Sequence, residues 1–195
     1  MTLPDGFAAK SDRLAVRGHT ILLGTVLFLA SELMFFACWF AAYYELRGRN
    51  SVWPPPGVHL DLTESSIGTA LLGASSLIVL VAIHAIHRDR PTLARRWLST
   101  AIVCGVLFLA IAVHGWLQNT FGISSHAYGS TFYGITGFHA LHVTAGVIAL
   151  TYLAAGADRP GFRGQDAGGA EAISYYWHFV FIVWLGIWST IYLVR

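Results

Sequence analysis

The sequence predicts an all-α fold, a polytopic membrane protein built as a bundle of five transmembrane helices. Three observations predict it. Of 195 residues, 55% are hydrophobic and only 11% are charged, against roughly 25% charged in a soluble domain. Five apolar runs are each long enough to cross about 30 Å of hydrocarbon at ~1.5 Å per helical residue. The formal net charge is +2, from 12 Lys+Arg against 10 Asp+Glu. Such a weak and scattered charge leaves no nucleic-acid footprint. It also lacks the low hydrophobicity and high net charge of a disordered chain. The two cysteines, Cys38 and Cys104, lie inside apolar runs and make no disulfide framework. The length fits one domain.

The spans fall near residues 19–46, 64–87, 97–118, 129–155 and 170–194. Residues 1–18 read as a cytoplasmic N-terminal tail, and residues 19–195 as the membrane domain. The first run is far longer than the ~7–15-residue core of a signal peptide, and no small-residue cleavage pattern follows it, so it reads as a retained helix. The first loop contains Trp53-Pro54-Pro55-Pro56-Gly57. Its prolines fix φ and remove donors, which predicts a stiff cap with Trp53 as an interfacial anchor. The fourth loop, Gly156 to Gly169, is glycine-rich and polar and reads as a mobile connection. Lys10, Arg13, Arg17, Arg88, Arg90, Arg95, Arg96, Arg159 and Arg163 fall on one side of a five-span chain. Arg47, Arg49 and Arg195 fall on the other. That asymmetry places the N-terminus in the cytoplasm and the C-terminus outside.

Polar residues inside hydrocarbon are expensive and mark function in a membrane protein. Glu32 lies near the middle of the first span, with no Lys or Arg in that span's interior. Desolvation favours its neutral form. It reads as a buried proton-handling or reactive acid, or as a carboxylic acid hydrogen-bonded to a neighbouring helix. His139 and His142 share one face of the fourth span at i,i+3. A haem between axial histidines would need a second imidazole at matched depth. The only candidate, His178, lies nearer the cytoplasmic edge. The carboxylate di-metal bundles need paired Glu-x-x-His motifs, which are lacking here, so no metal site is read. Glu171, Ser174, His178, Phe181, Ile182, Leu185 and Ser189 share a face of the fifth span. His139, His142, His178 and Glu171 together read as an intramembrane polar cluster.

Thr69-xxx-Gly73 and Ala70-xxx-Ala74 in the second span, with Gly134, Gly137, Ala140 and Gly146 in the fourth, mark close helix contacts. Trp177, Trp184 and Trp188 form a packing stripe. His84 and His87 end the second span at the interface. Arg88, Arg95 and Arg96 are candidates for lipid head groups. There is no nucleophile–base pair, phosphate loop or cysteine metal motif, so no catalytic residue is read.

Four stretches, in order along the chain, resemble subunit III of the haem-copper terminal oxidases, the cytochrome c oxidase family. They are Ser31-Glu32-Leu33-Met34-Phe35-Phe36-Ala37, the Trp53–Gly57 string, Tyr128-Gly129-Ser130-Thr131-Phe132-Tyr133-Gly134-Ile135-Thr136-Gly137-Phe138-His139-Ala140-Leu141-His142-Val143, and Tyr175-Tyr176-Trp177-His178-Phe179-Val180 with Glu171 upstream. The chain looks like the short, five-helix bacterial form, without the first two helices of the seven-helix form. The resemblance implies a non-catalytic subunit of a proton-pumping oxidase in the bacterial plasma membrane. Such a subunit has no redox centre of its own, and haem and copper sit in partner subunits. It packs on subunit I, with subunit II and a larger respiratory supercomplex as further partners, and carries structural phospholipids between its helices. It supports proton uptake and protects the catalytic subunit during turnover. The family's carbodiimide-reactive glutamate falls on Glu32, its paired histidines on His139 and His142, and its Trp-His on Trp177 and His178. Three places depart from the pattern. Phe181 stands where the family usually has Asp, and Ala112 and Gly115 stand where its third span usually has Gln-x-x-Glu. A partner of a quinol oxidase or nitric oxide reductase is the alternative implied. A stand-alone haem-binding membrane protein, and a small transporter using Glu32, are the remaining readings.

Overall fold

The computed structural model describes residues 5–157 and 167–194, with side chains from residue 20 onward. Among the described residues every regular element is a helix, as the sequence predicts. Helix α1 spans Asp5–Arg49, α2 Leu62–His87, α3 Pro91–Gln118, α4 Ala127–Gly156 and α5 Gly168–Trp188, which ends in a π-helical turn, Ser189–Leu193. Five segments among the described residues are long and apolar enough to cross a membrane, the first being Thr20–Arg49. Arg159 and Arg163 in the fourth loop, and the side chains of Lys10, Arg13, Arg17 and Arg195, lie outside the described residues.

The helices run past the expected spans because local chemistry sets their ends. Asp61 caps α2, its Oδ1 accepting from the amides of Thr63 at 2.7 Å and Glu64 at 3.1 Å. Those amides, Glu64 first and then Thr63, hold the Asp61 carboxyl below the usual carboxylate range. Pro91 opens α3, where its missing N–H costs nothing. Between α2 and α3 the chain turns in three residues, with Asp89 at φ 53°. In the first loop Trp53 is half-buried. Its ring packs edge-on against Tyr43 and Tyr128, at centroid distances of 5.5 and 5.1 Å.

Helices α2, α3, α4 and α5 form a closed ring, each touching the next and α5 returning to α2, while α1 lies against the α4–α5 seam. The keystone is Trp177, which is fully buried. A Cβ on Gly146 of α4 would fall 2.6 Å from its ring, and one on Gly105 of α3 would fall 2.9 Å away. Its Nε1 donates to Ser75 Oγ of α2 at 3.1 Å, and that hydroxyl donates to the Ala101 carbonyl of α3 at 3.0 Å. One indole therefore joins four helices. The pattern repeats elsewhere. Trp39 of α1 fills the notch at Gly134, Phe181 of α5 the notch at Gly73, and Phe40 of α1 the notch at Gly186. These small residues admit aromatic rings rather than bringing two backbones together. Gly137 faces open space.

The notch predicts two outcomes. Gly146→Val forces Trp177 out and destabilises the protein by about 1–3 kcal/mol, the usual penalty of overpacking. Gly137→Ala is neutral or gains up to ~1 kcal/mol from helix propensity. Thermal unfolding in detergent measures both, and an unchanged midpoint for Gly146→Val contradicts the keystone role.

Candidate functional site

Glu32 sits two turns before Trp39 on α1, on the side that meets α4. Its Oε2 lies 2.8 Å from His142 Nε2. The sequence shows no partner on its own helix, and the partner comes from 110 residues away. The other ring nitrogen, His142 Nδ1, lies 2.7 Å from the Phe138 carbonyl. A carbonyl only accepts, so Nδ1 carries hydrogen and donates. The short Nε2–Oε2 contact then needs a second proton. Either Glu32 is neutral and donates to Nε2, or the imidazolium donates to the carboxylate. Both states are electrically neutral as a pair, which is what a low-dielectric site tolerates.

The surroundings hold this geometry. Phe36 packs edge-on against the His142 ring at 5.1 Å. The Tyr176 hydroxyl of α5 donates to the His142 carbonyl at 2.9 Å, and Tyr176 stacks on Phe28 of α1 at 6.1 Å. The pair is only partly buried, with side-chain exposures of 21% for Glu32 and 13% for His142. It lies at the margin of the α1–α4 seam rather than in the core.

The four residues read together from the sequence occupy three places. His142 pairs with Glu32. His139, one turn earlier, points into the core between Trp184, stacked at 5.1 Å, and Phe108, edge-on at 5.9 Å. His178 lies between two hydroxyls, with Nδ1 bonded to Ser76 of α2 and Nε2 3.3 Å from Ser174. Both of its nitrogens are engaged within the bundle, so the imidazole is not presented to a haem shared with His139. Glu171 lies at the edge and pairs with His87 at 3.1 Å, both half-exposed. The three head-group candidates, Arg88, Arg95 and Arg96, are all exposed, and Arg95 Nε also donates to the Ala154 carbonyl at 3.2 Å, near the end of α4. Among the described residues, no three His, Cys, Asp or Glu side chains gather in a way that could hold a metal ion.

A cross-helix pair absent from the sequence reading is Glu64 of α2 with His114 of α3, in contact through Oε1 and Nδ1. No local spacing links them. Their place is informative, because Glu64 Oε2 lies 3.8 Å from where a Cβ on Gly115 would stand. A carboxylate from α2 thus occupies the neighbourhood that Gly115 leaves vacant on α3. Phe181, the other departure, inserts its ring against Gly73 of α2.

Five helices long and apolar enough to span a membrane, with an acid–imidazole pair at a helix seam, define a multi-pass membrane protein. Comparison with known proteins narrows the class. The family model for cytochrome c oxidase subunit III matches residues 8–194. The chain is 40% identical over 183 residues to the probable cytochrome c oxidase subunit 3 of Nocardia farcinica, covering 92% of this chain and 90% of that one. It is 35% identical over 185 residues to the cytochrome c oxidase subunit 3 of Corynebacterium diphtheriae, with the same coverage. It is 33% identical over 174 residues to that of Thermostichus vulcanus, covering 89% and 87%. The chain belongs to the cytochrome c oxidase subunit III family, and so is a multi-pass membrane subunit of a haem-copper oxidase.

The pair is testable by a double-mutant cycle. Glu32→Leu and His142→Leu should each destabilise the protein. The double variant should lose less than their sum, by about 0.6–1.7 kcal/mol, the range for hydrogen bonds between membrane helices. Strict additivity in denaturant unfolding of detergent-solubilised protein contradicts a direct interaction.

Proposed function

We propose that this chain is the non-catalytic subunit of a proton-pumping cytochrome c oxidase, that it packs on and stabilises the catalytic subunit I, and that phospholipids fill the contacts between them. Residues 19–195 form the docking domain, with residues 1–18 as a cytoplasmic tail. The N-terminus is cytoplasmic and the C-terminus outside, in the bacterial plasma membrane. The redox centres belong to partner subunits, and subunit II is the second neighbour. The likeness to cytochrome c oxidase subunits supports cytochrome c as the electron donor.

The observation that carries this reading is the exposure of α1. Only 6% of its most apolar window is buried within the chain, against 22–39% for the other spans. Leu23, Leu27, Leu33 and Met34 stand out from the bundle. The Glu32–His142 pair lies at the same margin with polar surface left over. Bare hydrocarbon is a poor neighbour for that surface, whereas a protein face or a lipid head group satisfies it. In this reading Glu32 and His142 keep one proton at the subunit boundary and steady the proton-uptake side of the catalytic subunit. Arg88, Arg95 and Arg96 contact anionic head groups at the cytoplasmic edge.

Glu32→Gln keeps a hydrogen bond to His142 and removes the shared proton. The complex should assemble with its haem spectrum unchanged. Steady proton pumping should fall by less than about twofold, since the amide preserves the contact and only the proton-dependent part is lost. Oxygen uptake with proton ejection from proteoliposomes measures this. Loss of the haem spectrum, or abolished pumping, contradicts the assigned role.

A further inference from the structure

His139 is a fully buried imidazole that the pairing above does not use. It is 1% exposed, and among the described residues neither ring nitrogen has a hydrogen-bond partner. Leaving two buried ring nitrogens bare is costly, and native proteins satisfy such groups with protein or ordered water. The aromatic rings around His139 supply no acceptor or donor to it. It does, however, form part of the wall of a cavity of about 370 Å³.

The cavity lies inside the α2–α3–α4–α5 ring. It exists because the ring is lined there by small residues, notably Gly68, Ala112, Gly115 and Ala140. Its polar wall is graded. At the rim stand His59, Asp61 and Gln118, all exposed. Below them, Glu64 turns its carboxylate toward the Gly115 notch. At the inner end are Thr136 and His139. The rim residues belong to the α1–α2 loop, the start of α2 and the end of α3. The opening therefore lies at the end of the bundle opposite the Arg88–Arg96 turn. Among the described residues no Lys or Arg lines the cavity. A volume of this size holds several waters, each with a share of about 30 Å³. The wall offers each the polar partners that a buried water needs, from the rim down to the imidazole.

We propose that this cavity is a water-filled inlet that hydrates His139 from the loop end of the bundle and lets its ring proton exchange with that aqueous phase. The ligand is water, held by Glu64, Thr136 and His139. The site is separate from the Glu32–His142 pair, which opens toward α1 on the other side of α4. The inlet is closed at its inner end by the stack of His139 on Trp184 and by Phe108. It brings water to the middle of the bundle without crossing it.

The test is cysteine accessibility in the intact complex in right-side-out vesicles, with Cys38 and Cys104 replaced by Ser and Ala. The probe is a membrane-impermeant trimethylammonium-ethyl methanethiosulfonate. A thiol reacts through its thiolate, which forms in water and not in hydrocarbon. Ala112→Cys and Ala140→Cys should react within about tenfold of Ser124→Cys in the exposed loop, and Leu107→Cys on the lipid face at least about a hundredfold more slowly. Rates for both cavity positions as slow as Leu107→Cys overturn the inlet. A second measurement needs no change in the cavity. Diethyl pyrocarbonate on the unsubstituted complex, read by peptide mass mapping, should modify His139 as well as exposed His59. Gly115→Leu, which fills the inlet, should protect His139 at least fivefold, about the effect of closing a solvent path, while His59 still reacts. An unmodified His139 beside a modified His59, or equal modification in Gly115→Leu, overturns the proposal.

Discussion

Trp177 is the contact on which the rest of the bundle depends. Inside a membrane the lipid is as apolar as the side chains, so burial of hydrocarbon does not drive helices together. Fit and hydrogen bonding must do so. The indole of Trp177 supplies both, filling notches left by Gly105 and Gly146 and donating to Ser75. Through Ser75 and the Ala101 carbonyl it also fixes α2 against α3. Trp184 repeats the device two turns further along, donating to Thr69 of α2 at 2.8 Å while stacking on His139. Once these rings are seated, α2 to α5 have a single register, and the polar side chains they carry fall into place.

Helix α1 stands apart from that ring and is attached by different means. Trp39 and Phe40 enter notches on α4 and α5, and Arg47 reaches the Val194 carbonyl at 2.8 Å near the chain end. Glu32 and His142 add a polar clasp in the middle. The clasp is neutral whichever of the two holds the proton, because the second imidazole nitrogen is already committed to a carbonyl. A neutral pair survives at the edge of hydrocarbon where a bare carboxylate does not. The same feature makes the pair suited to a subunit boundary, since it carries a proton and hydrogen-bonding surface without carrying net charge.

Much of the fold was legible because hydropathy is a local signal. Five spans follow from composition and run length alone, and a cap or proline sets the start of two of the helices, at Asp61 and Pro91. Glu32 was legible as a lone acid in an apolar run. Its partner was not, since nothing in the spacing around His142 points to a residue on α1. The small residues were legible as contact points. Their occupants were not, because an aromatic ring from a distant helix leaves no mark on the sequence near the glycine. Trp53 and Arg95 were legible by type, but their contacts were not: Trp53 packs on two tyrosines and Arg95 donates to the Ala154 carbonyl. The family motifs located Trp177 and His178, whereas the approach of the Glu64 carboxylate of α2 to Gly115 of α3 is something only the folded chain reveals.

The most direct measurement of the central claim is an isolation through an affinity tag on this chain. In mild detergent the tagged chain should carry the haem-bearing catalytic subunit with it, with the absorption of that subunit's haem intact. Transfer to a harsher detergent should release the chain as a helical protein without a Soret band, since in this account the redox centres belong to the partner subunits. A chain that retains bound haem after every companion has been stripped away, or that never brings a haem-bearing subunit with it, would contradict the account.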